Sequence, residues 1–314
     1  MNIFKRILHN KPLLILITAS AIMALINPRF ATIGNIVTVL RQTSINAVIA
    51  TGMTFAILTG GIDLSVGSVL GFCGALAAYM VSSGIGVGLT LITALLIGTM
   101  IGYINGTLIT AGRLQPFIAT LGTVTLLRGG ILVFTQGRPI GLGSASGSEA
   151  FTHIGRGFAG PIPIPVIIMI AVFVLAHYIL RHTKIGRYIY ATGSNEEATM
   201  YSGIKTDKVK RFVYSVSGMM AALAGIIITA RLGSAQPTAG VGYELDAIAA
   251  VVLGGTSMAG GIGTIAGTAI GALIIGVLNN ALNLMQVSSY YQDVAKGIVI
   301  LIAVLLDRKQ KLSR

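Results

Sequence analysis

The organisation of this chain follows from one polar segment, Gly193-Ser194-Asn195-Glu196-Glu197-Ala198-Thr199-Met200-Tyr201-Ser202-Gly203-Ile204, within the basic interruption 181–211. Ser194 and Glu197 have the spacing of a capping box, and Gly203 stands where a helix would end in the left-handed conformation that glycine tolerates best. A helix of about two turns is too short to be stable alone in water. Because membrane-length apolar runs flank the segment, we predict that it lies in the cytoplasm and docks on a partner there.

The composition is that of an integral membrane protein. Hydrophobic residues make up 54% of the chain and charged residues 10%, and the mean hydropathy is +0.85; soluble domains carry about 25% charged residues. The 41 glycines suit helices that pack backbone to backbone in a bilayer. The net charge of +13 comes from basic residues at the ends of apolar runs, which indicates orientation in a lipid bilayer and not binding of nucleic acid.

The apolar runs predict an all-α, polytopic membrane protein with about ten transmembrane helices, since each span needs about 20 apolar residues. We expect a single transmembrane domain over residues 1–314, with a cytoplasmic docking loop within 181–211. Three runs, 43–60, 64–82 and 244–259, are short or interrupted by Gly-Gly pairs, so short or broken helices are expected there. The predicted spans are 12–27, 43–60, 64–82, 86–111, 117–135, 164–180, 212–230, 244–259, 264–284 and 290–306.

The distribution of Lys and Arg places both termini in the cytoplasm. When ten spans are threaded from a cytoplasmic N-terminus, the loops obey the positive-inside rule, and removing one span would reverse every later loop. The segment 136–163 is then outside, and its Gly, Ser and Pro content predicts a loop or a short surface helix. The outer cations are Arg29, Arg41, Arg138, Arg156 and Arg231, and the cytoplasmic ones are Lys5, Arg6, Lys11, Arg113, Arg181, Lys184, Arg187, Lys205, Lys208, Lys210, Arg211, Arg308, Lys309, Lys311 and Arg314.

An internal echo links the two halves of the chain. Gly60-Gly61-Ile62, followed by Gly67-Ser68 and Gly71, matches Gly260-Gly261-Ile262, followed by Gly267-Thr268 and Gly271. Both copies lie at a re-entry into the membrane, where transporters built from repeats place broken helices. Common ancestry and a chance match in a glycine-rich chain both stay open.

The sequence lacks the motifs of an enzyme. It contains no Gly-x-x-x-x-Gly-Lys-Ser/Thr run for nucleotide phosphates and no dinucleotide-binding fingerprint. Its histidines are scattered and Cys73 is the only cysteine, so neither a metal centre nor an internal disulfide is expected. We therefore predict no cofactor and no catalysis by this chain alone.

Charged residues inside apolar runs need a reason, because an aspartate near mid-helix costs about 2.5–3.5 kcal/mol to insert. Asp63 follows Gly60-Gly61 and could cap the next helix. Arg128 is expected to pair across helices. Asp293 and Lys296 are three residues apart and can neutralise each other on one helix face.

Several polar residues in or beside the apolar runs fit a path for a neutral, polyhydroxylated solute. Carboxylates and amides offer acceptors and donors to hydroxyl groups, whereas a metal or anion site needs denser charge. Hydrogen bonding between helices is the alternative explanation for each of them. The candidates are Asp63, Asn105, Gln236, Tyr243, Glu244, Asp246, Asn279 and Asn283.

Four segments carry a family likeness. They are Thr59-Gly-Gly-Ile-Asp-Leu-Ser-Val-Gly-Ser68, Phe117-Ile-Ala-Thr-Leu121 with Leu127-Arg128-Gly129, the Gly193 to Ile204 segment, and Ser234 to Gly240 continuing through Tyr243 to Ser257. Together they closely resemble the ribose-type sugar permeases of bacterial ABC importers, in the superfamily of monosaccharide and branched-chain-amino-acid permeases. The likeness runs over nearly the whole chain.

The resemblance implies a transmembrane subunit of the bacterial inner membrane, homodimeric or paired with a related permease. A cytoplasmic ATPase would energise the subunit, and a periplasmic sugar-binding protein would deliver the substrate. The substrate implied is a monosaccharide, with ribose or another pentose favoured over other sugars. The resemblance also implies a coupling helix that sits in a groove of the ATPase; family members have an alanine where Thr199 stands here, which leaves the docking expectation intact. The expected coupling-loop residues are Gly193, Ser194, Asn195, Glu196, Glu197, Ala198 and Gly203.

One alternative class stays open on the residues alone. An ion-gradient-driven secondary transporter or a channel for a small polar solute would need no partner, and membrane-embedded acids such as Asp63 and Asp246 would fit a proton or sodium site. Such a carrier has no evident need for a capped cytoplasmic helix. The docking helix therefore favours the importer.

Overall fold

The computed structural model describes residues 11–312, most of which are α-helical. Lys5, Arg6 and Arg314, which the charge argument places in the cytoplasm, lie outside these residues. The first half contains α1 (Lys11–Ile26), a 3-10 turn (Pro28–Ala31), α2 (Ile33–Leu58), α3 (Val66–Ser82), α4 (Val87–Thr110), α5 (Pro116–Thr135) and α6 (Ser148–Arg156). The second half contains α7 (Ile164–His182), α8 (Lys184–Ser194), α9 (Glu196–Tyr201), α10 (Thr206–Leu232), α11 (Tyr243–Leu253), α12 (Ile265–Leu284) and α13 (Ser289–Leu312).

The helices confirm the predicted all-α, polytopic architecture, and each predicted run overlaps one of them. Four boundaries were wrong by six residues or more. The helices of runs 212–230 and 290–306 extend to Thr206 and Leu312. The helix of run 43–60 begins earlier, at Ile33, because the Thr32 hydroxyl caps it by accepting from Asn35 N at 3.4 Å. The helix of run 244–259 stops at Leu253, where Gly254 and Gly255 follow and Gly255 has a φ of +87°.

Five of the described helices are long and apolar enough to cross a membrane by length and composition, and α1 and α3 contain shorter apolar helical stretches. The count of ten crossings stays a prediction. The five are Val87–Thr110, Pro116–Thr135, Ile164–His182, Thr206–Leu232 and Ile265–Leu284.

The long helix α10 forms the centre of the bundle and packs against α2, α3 and α4. Glycines make these contacts possible. A Cβ added to Gly218 would collide with the backbone of Gly98 on α4, and one added to Gly225 would collide with Leu70 on α3. Helices in a bilayer associate mainly through such close packing of small residues, which accounts for part of the glycine content.

The two glycine-pair segments are both breaks between helices. Residues 59–65 separate α2 from α3, and residues 254–264 separate α11 from α12. Gly60 and Gly260 both have positive φ, at +77° and +87°. The two breaks touch, because a Cβ added to Gly260 would come 2.9 Å from Gly60 N. Gly261 N also donates to Leu58 O, at the end of α2, at 3.0 Å. The sequence echo therefore corresponds to a shared local structure.

The segment predicted to lie outside contains a short helix, α6, one small hairpin, and a strand that pairs with the chain just after α10. Strand β1 (Ile140–Gly141) pairs antiparallel with β4 (Ser234–Ala235), and β2 (Phe158–Ala159) pairs with β3 (Ile162–Pro163). Arg156 Nε also donates to Arg231 O at 2.6 Å. These bonds hold the segment against the end of α10.

Candidate functional site

Helix α9, where the sequence predicts docking, has six residues and a capped N-terminus, but the capping residue differs from the predicted one. Asn195 is the N-cap, and its Oδ1 accepts a hydrogen bond from Ala198 N at 2.9 Å. Ser194 instead ends α8, so the capping box of Ser194 with Glu197 was wrong. Asn195 takes the extended backbone that an N-cap needs (φ −160°, ψ 103°), whereas Ser194 remains helical.

The C-terminal end of α9 confirms the glycine prediction. Gly203 has a φ of +82° and donates from its N–H to Met200 O at 2.9 Å. Ile204 N then donates to Thr199 O at 3.3 Å. The turn satisfies helix carbonyls that would otherwise be unpaired and directs the chain into α10.

Side chains on the inner face of α9 hold it to the bundle. Glu196 forms an ion pair with Lys210 of α10, with Nζ 2.6 Å from Oε1. Thr199 is buried, and its hydroxyl donates to Asn195 O at 2.7 Å. The position at which this chain departs from the family's alanine is therefore buried against the rest of the protein.

The outer face of α9 is exposed. Glu197, Ala198 and Tyr201 are exposed there, with Met200 beside them, and Tyr201 is 90% exposed. Residues 197 and 201 are one helical turn apart and share this face. We call Glu197, Ala198 and Tyr201 the docking face.

A buried polar chain surrounds Asp63. The Asp63 carboxylate is fully buried, and its Oδ1 accepts from Ser65 N at 3.0 Å and from Ser65 Oγ at 2.6 Å. Asn105 Nδ2 donates to Ser65 Oγ at 2.9 Å, and Asn105 Oδ1 accepts from Thr123 Oγ1 at 2.6 Å. Asp63 thus positions Ser65, the N-cap residue of α3, but does not bond to the first turn of α3. The hydrogen bonds from Asp63 through Ser65 and Asn105 to Thr123 link the start of α3 to α4 and α5.

A second polar cluster gathers around Asp246, in the first turn of α11. Its Oδ2 accepts from Asn46 Nδ2 at 3.1 Å and from Asn279 Nδ2 at 3.5 Å, and Lys296 Nζ lies 3.4 Å away. The expectation that Lys296 pairs with Asp293 was wrong, because Lys296 points to the buried carboxylate of a different helix. We call these four bonded residues (Asn46, Asp246, Asn279 and Lys296) the Asp246 cluster; it joins α2, α11, α12 and α13.

Asn46 and Lys296 are the members of this cluster that the candidate set missed. A polar amide near the start of the apolar run 43–60 was the available signal for Asn46. The set missed Lys296 because the sequence offered Asp293 as a nearer partner.

Glu244 and Arg128 both lie near the place where the loop before α11 crosses α3. Arg128 Nη1 donates to Ala239 O at 2.7 Å, so its hydrogen-bond partner is a loop carbonyl and not, as expected, a residue of another helix. Glu244 lies close enough for its charge to act on Arg128, and its Oε1 accepts from Gly242 N at 3.3 Å. A Cβ on Gly67 of α3 would collide with the Glu244 carboxylate, so this glycine is needed for the crossing.

The remaining candidates lie apart from these clusters. Gln236 Nε2 donates to Ser234 Oγ at 3.0 Å, and the exposed Asn283 accepts from Gln292 Nε2 at 3.0 Å. Tyr243 is half-buried one turn of α11 before Asp246. The structure therefore brings Asp246 together with Asn279, and Asp63 with Asn105, but does not gather all eight candidates at one place.

Comparison with known proteins identifies the family. Residues 35–304 match the family described as "branched-chain amino acid transport system / permease component". The chain belongs to this permease family. The permease is 57% identical over 301 residues to the ribose import permease protein of Haemophilus influenzae, covering 96% of this chain and 93% of the relative.

Two further relatives extend this result. The permease is 56% identical over 300 residues to the ribose import permease protein of Bacillus subtilis (95% of this chain, 92% of the relative). It is 41% identical over 290 residues to the D-allose transport system permease protein of Escherichia coli (92% and 88%). No solved structure matches the permease significantly. The permease is thus a multi-pass membrane transport component of the ribose type and not an enzyme.

Proposed function

We propose that this chain is the transmembrane permease subunit of an ATP-binding-cassette importer that carries ribose across the bacterial inner membrane. The supporting observation is the identity of 57% and 56% to two ribose import permeases over nearly the full length, against 41% to a D-allose permease. The whole chain, 1–314, acts as one permease domain.

The proposed partners supply ATP hydrolysis and substrate delivery to the permease. Its sequence has no nucleotide-binding motif, so a separate cytoplasmic ATPase hydrolyses ATP and binds the docking face of α9. A periplasmic sugar-binding protein delivers ribose to the opposite side. Two copies of the permease, or one copy with a related chain, complete the transmembrane unit.

The Asp246 cluster is the best candidate for contacts to sugar hydroxyls. Asn46 Oδ1 and Asn279 Oδ1 are buried without a hydrogen-bond partner among the described residues, while the amide groups beside them donate to Asp246. Amide oxygens accept from hydroxyls, and a buried acceptor without a donor is unfavourable. We propose that ribose hydroxyls supply such donors in transit, with Asp63, Asn105, Gln236, Tyr243, Glu244 and Asn283 as further pathway candidates.

A competition assay tests the substrate. Cells that express the permease with its ATPase and binding protein should take up radiolabelled ribose, and excess unlabelled ribose should suppress uptake more strongly than excess allose or xylose. Stronger competition by allose or xylose than by ribose would refute the ribose assignment. Because specificity in such systems also rests on the binding protein, the affinity of the purified binding protein for each of the three sugars is measured separately.

Isosteric variants test the pathway residues. Under the proposal, Glu244→Gln and Asp246→Asn each reduce ribose uptake in vesicles by at least about tenfold, with unchanged expression and ATPase assembly. Asp246→Asn also breaks the ion pair with Lys296, so uptake is compared at equal amounts of folded protein. If neither carboxylate contacts the sugar, transport per folded protein stays near normal in both variants, and Glu244→Gln loses only the helix-dipole contribution of about 0.3–1 kcal/mol. That second outcome would remove both residues from the pathway.

A further inference from the structure

The end of α8 fits against both helix breaks with no room for a side chain. A Cβ added to Gly193 would collide with Leu58 O at the end of α2 and would come 2.6 Å from Gly261 N in the break before α12. Leu58 O and Gly261 N are themselves joined by the hydrogen bond that links the end of α2 to the second break. Gly193 therefore packs directly on this bond.

The neighbouring residues tighten the same contact. A Cβ added to Gly261 would come 2.6 Å from Ser194 Oγ, and one added to Gly260 would come 2.8 Å from Gly193 O. The same Cβ on Gly261 would also come 3.0 Å from Ser194 Cα and N, so apart from the Ser194 hydroxyl the contact is made by backbone atoms. We call Leu58, Gly193, Gly260 and Gly261 the glycine junction.

Tyr190 adds a directional bond between α8 and the second break. Its hydroxyl donates to Gly263 O at 2.8 Å. Burial raises the pKa of Tyr190 above its ordinary value, and the positive charge of Arg181 opposes part of this rise. The hydroxyl therefore keeps its proton at neutral pH and remains a donor.

We infer that the glycine junction and Tyr190 transmit movement of the docking helix to α2 and α12, and that Tyr190 is a positioning residue for coupling. This inference rests on the proposed function, because it requires an ATPase on the docking face. Only Asn195 separates α8 from α9, so a displacement of α9 moves the end of α8. Backbone contacts without flexible side chains pass on a small shift and do not absorb it.

The two helices that the junction holds are also the two that carry the amides of the Asp246 cluster. Asn46 lies on α2 and Asn279 on α12, and both donate to Asp246. Each amide is about 20 Å along its helix from the junction, at 1.5 Å per residue. A shift of either helix at the junction would change the geometry around Asp246 and so connect ATP hydrolysis with the proposed sugar path.

The test is Tyr190→Phe in the complete transporter, reconstituted with its ATPase and binding protein. The substitution removes one hydroxyl and keeps the ring. Tyr188→Phe, on the same helix with a partly exposed ring, is the control. The measurements are ATPase copurification, ATP hydrolysis stimulated by binding protein and ribose, ribose uptake, and the thermal midpoint.

We expect Tyr190→Phe to keep ATPase copurification and ATP hydrolysis but to transport about fivefold less ribose per ATP, the effect of one lost hydrogen bond. Tyr188→Phe should match the wild type. The inference is overturned if the amount of ribose transported per ATP is unchanged in Tyr190→Phe, or if it falls equally in Tyr190→Phe and Tyr188→Phe. It is also overturned if uptake and hydrolysis in Tyr190→Phe fall together with a lower thermal midpoint. Failure of the wild-type ATPase to copurify would instead refute the proposed function on which the inference rests.

Discussion

Lys296 Nζ lies 3.4 Å from Asp246 Oδ2, and this ion pair fastens α13 to the short helix α11. The Asp246 side chain is 3% exposed and that of Lys296 26%. A carboxylate so far from water needs its cation and its amide donors, since an unpaired buried charge is strongly unfavourable. The pair is therefore a structural requirement of any sugar path that passes Asp246.

The first prediction removes the cation. Lys296→Met leaves Asp246 without its counter-charge and should lower the free energy of unfolding by about 1–3 kcal/mol, less than for a fully buried pair because Lys296 reaches solvent. Thermal unfolding of the purified permease in detergent measures the loss. Asp293→Asn, at an exposed neighbouring acid, should change stability by less than about 0.5 kcal/mol.

The double variant Asp246→Asn with Lys296→Met sharpens this test. It removes both charges and should recover part of the stability that Lys296→Met loses. If Asp293→Asn is the more damaging single change, the ion pair observed here is not the one that stabilises α13.

The second prediction concerns the docking face. Glu197→Lys and Ala198→Asp place a new charge in a packed protein–protein contact and should abolish ATPase copurification and ribose uptake while the permease stays folded in the membrane. Ala198→Ser, which adds one small hydroxyl at the same position, should retain most of both. Normal copurification and uptake in the two charged variants would exclude this face as the ATPase site.

The third prediction compares two helical glycines. Gly218→Ala on α10 forces a Cβ into the backbone of α4, and overpacking of this kind should cost about 1–3 kcal/mol. Gly122→Ala on α5 meets open space and should be neutral or stabilising by about 0.5–1 kcal/mol, because alanine is the better helix former. Equal effects on the thermal midpoint would show that α4 and α10 are not in backbone contact.

The fourth prediction fixes the orientation in the membrane. Single cysteines introduced by Ser146→Cys and Ser202→Cys, at exposed positions before α6 and after α9, are placed in a Cys73→Ala background. An impermeant thiol reagent applied to intact spheroplasts should label only the first. Labelling of the second from outside would overturn the ten-span topology.

Much of this fold could be predicted from the sequence because the bilayer imposes simple rules on length, hydropathy and charge. Runs of apolar residues located the helices, and Gly203 marked the end of α9, because only a few residues tolerate its left-handed backbone. The errors occurred where two local options compete. Ser194 and Asn195 are both good N-caps, and only the packing of Ser194 against Gly261 shows why α8 continues through it.

The site was harder to predict than the fold. Asp246 and Asn279 meet because α11 and α12 are neighbours, but nothing local in the sequence indicates that Asn46 and Lys296 complete the cluster from 200 and 50 residues away. Asp293 stood closer to Lys296 along the chain and was the natural partner by helical spacing. Long-range pairing of this kind depends on the arrangement of the helices and not on sequence spacing.

The most direct test is ribose accumulation in proteoliposomes that contain the permease and its ATPase, with ATP inside the compartment that the ATPase faces and loaded binding protein on the opposite side. A protonophore and a sodium ionophore are present throughout, so that no ion gradient can drive transport. We predict that ribose accumulates against its gradient only when ATP is supplied, and that Ala198→Asp abolishes accumulation. Accumulation that the ionophores abolish and that ATP does not affect would contradict the importer and favour an ion-driven carrier.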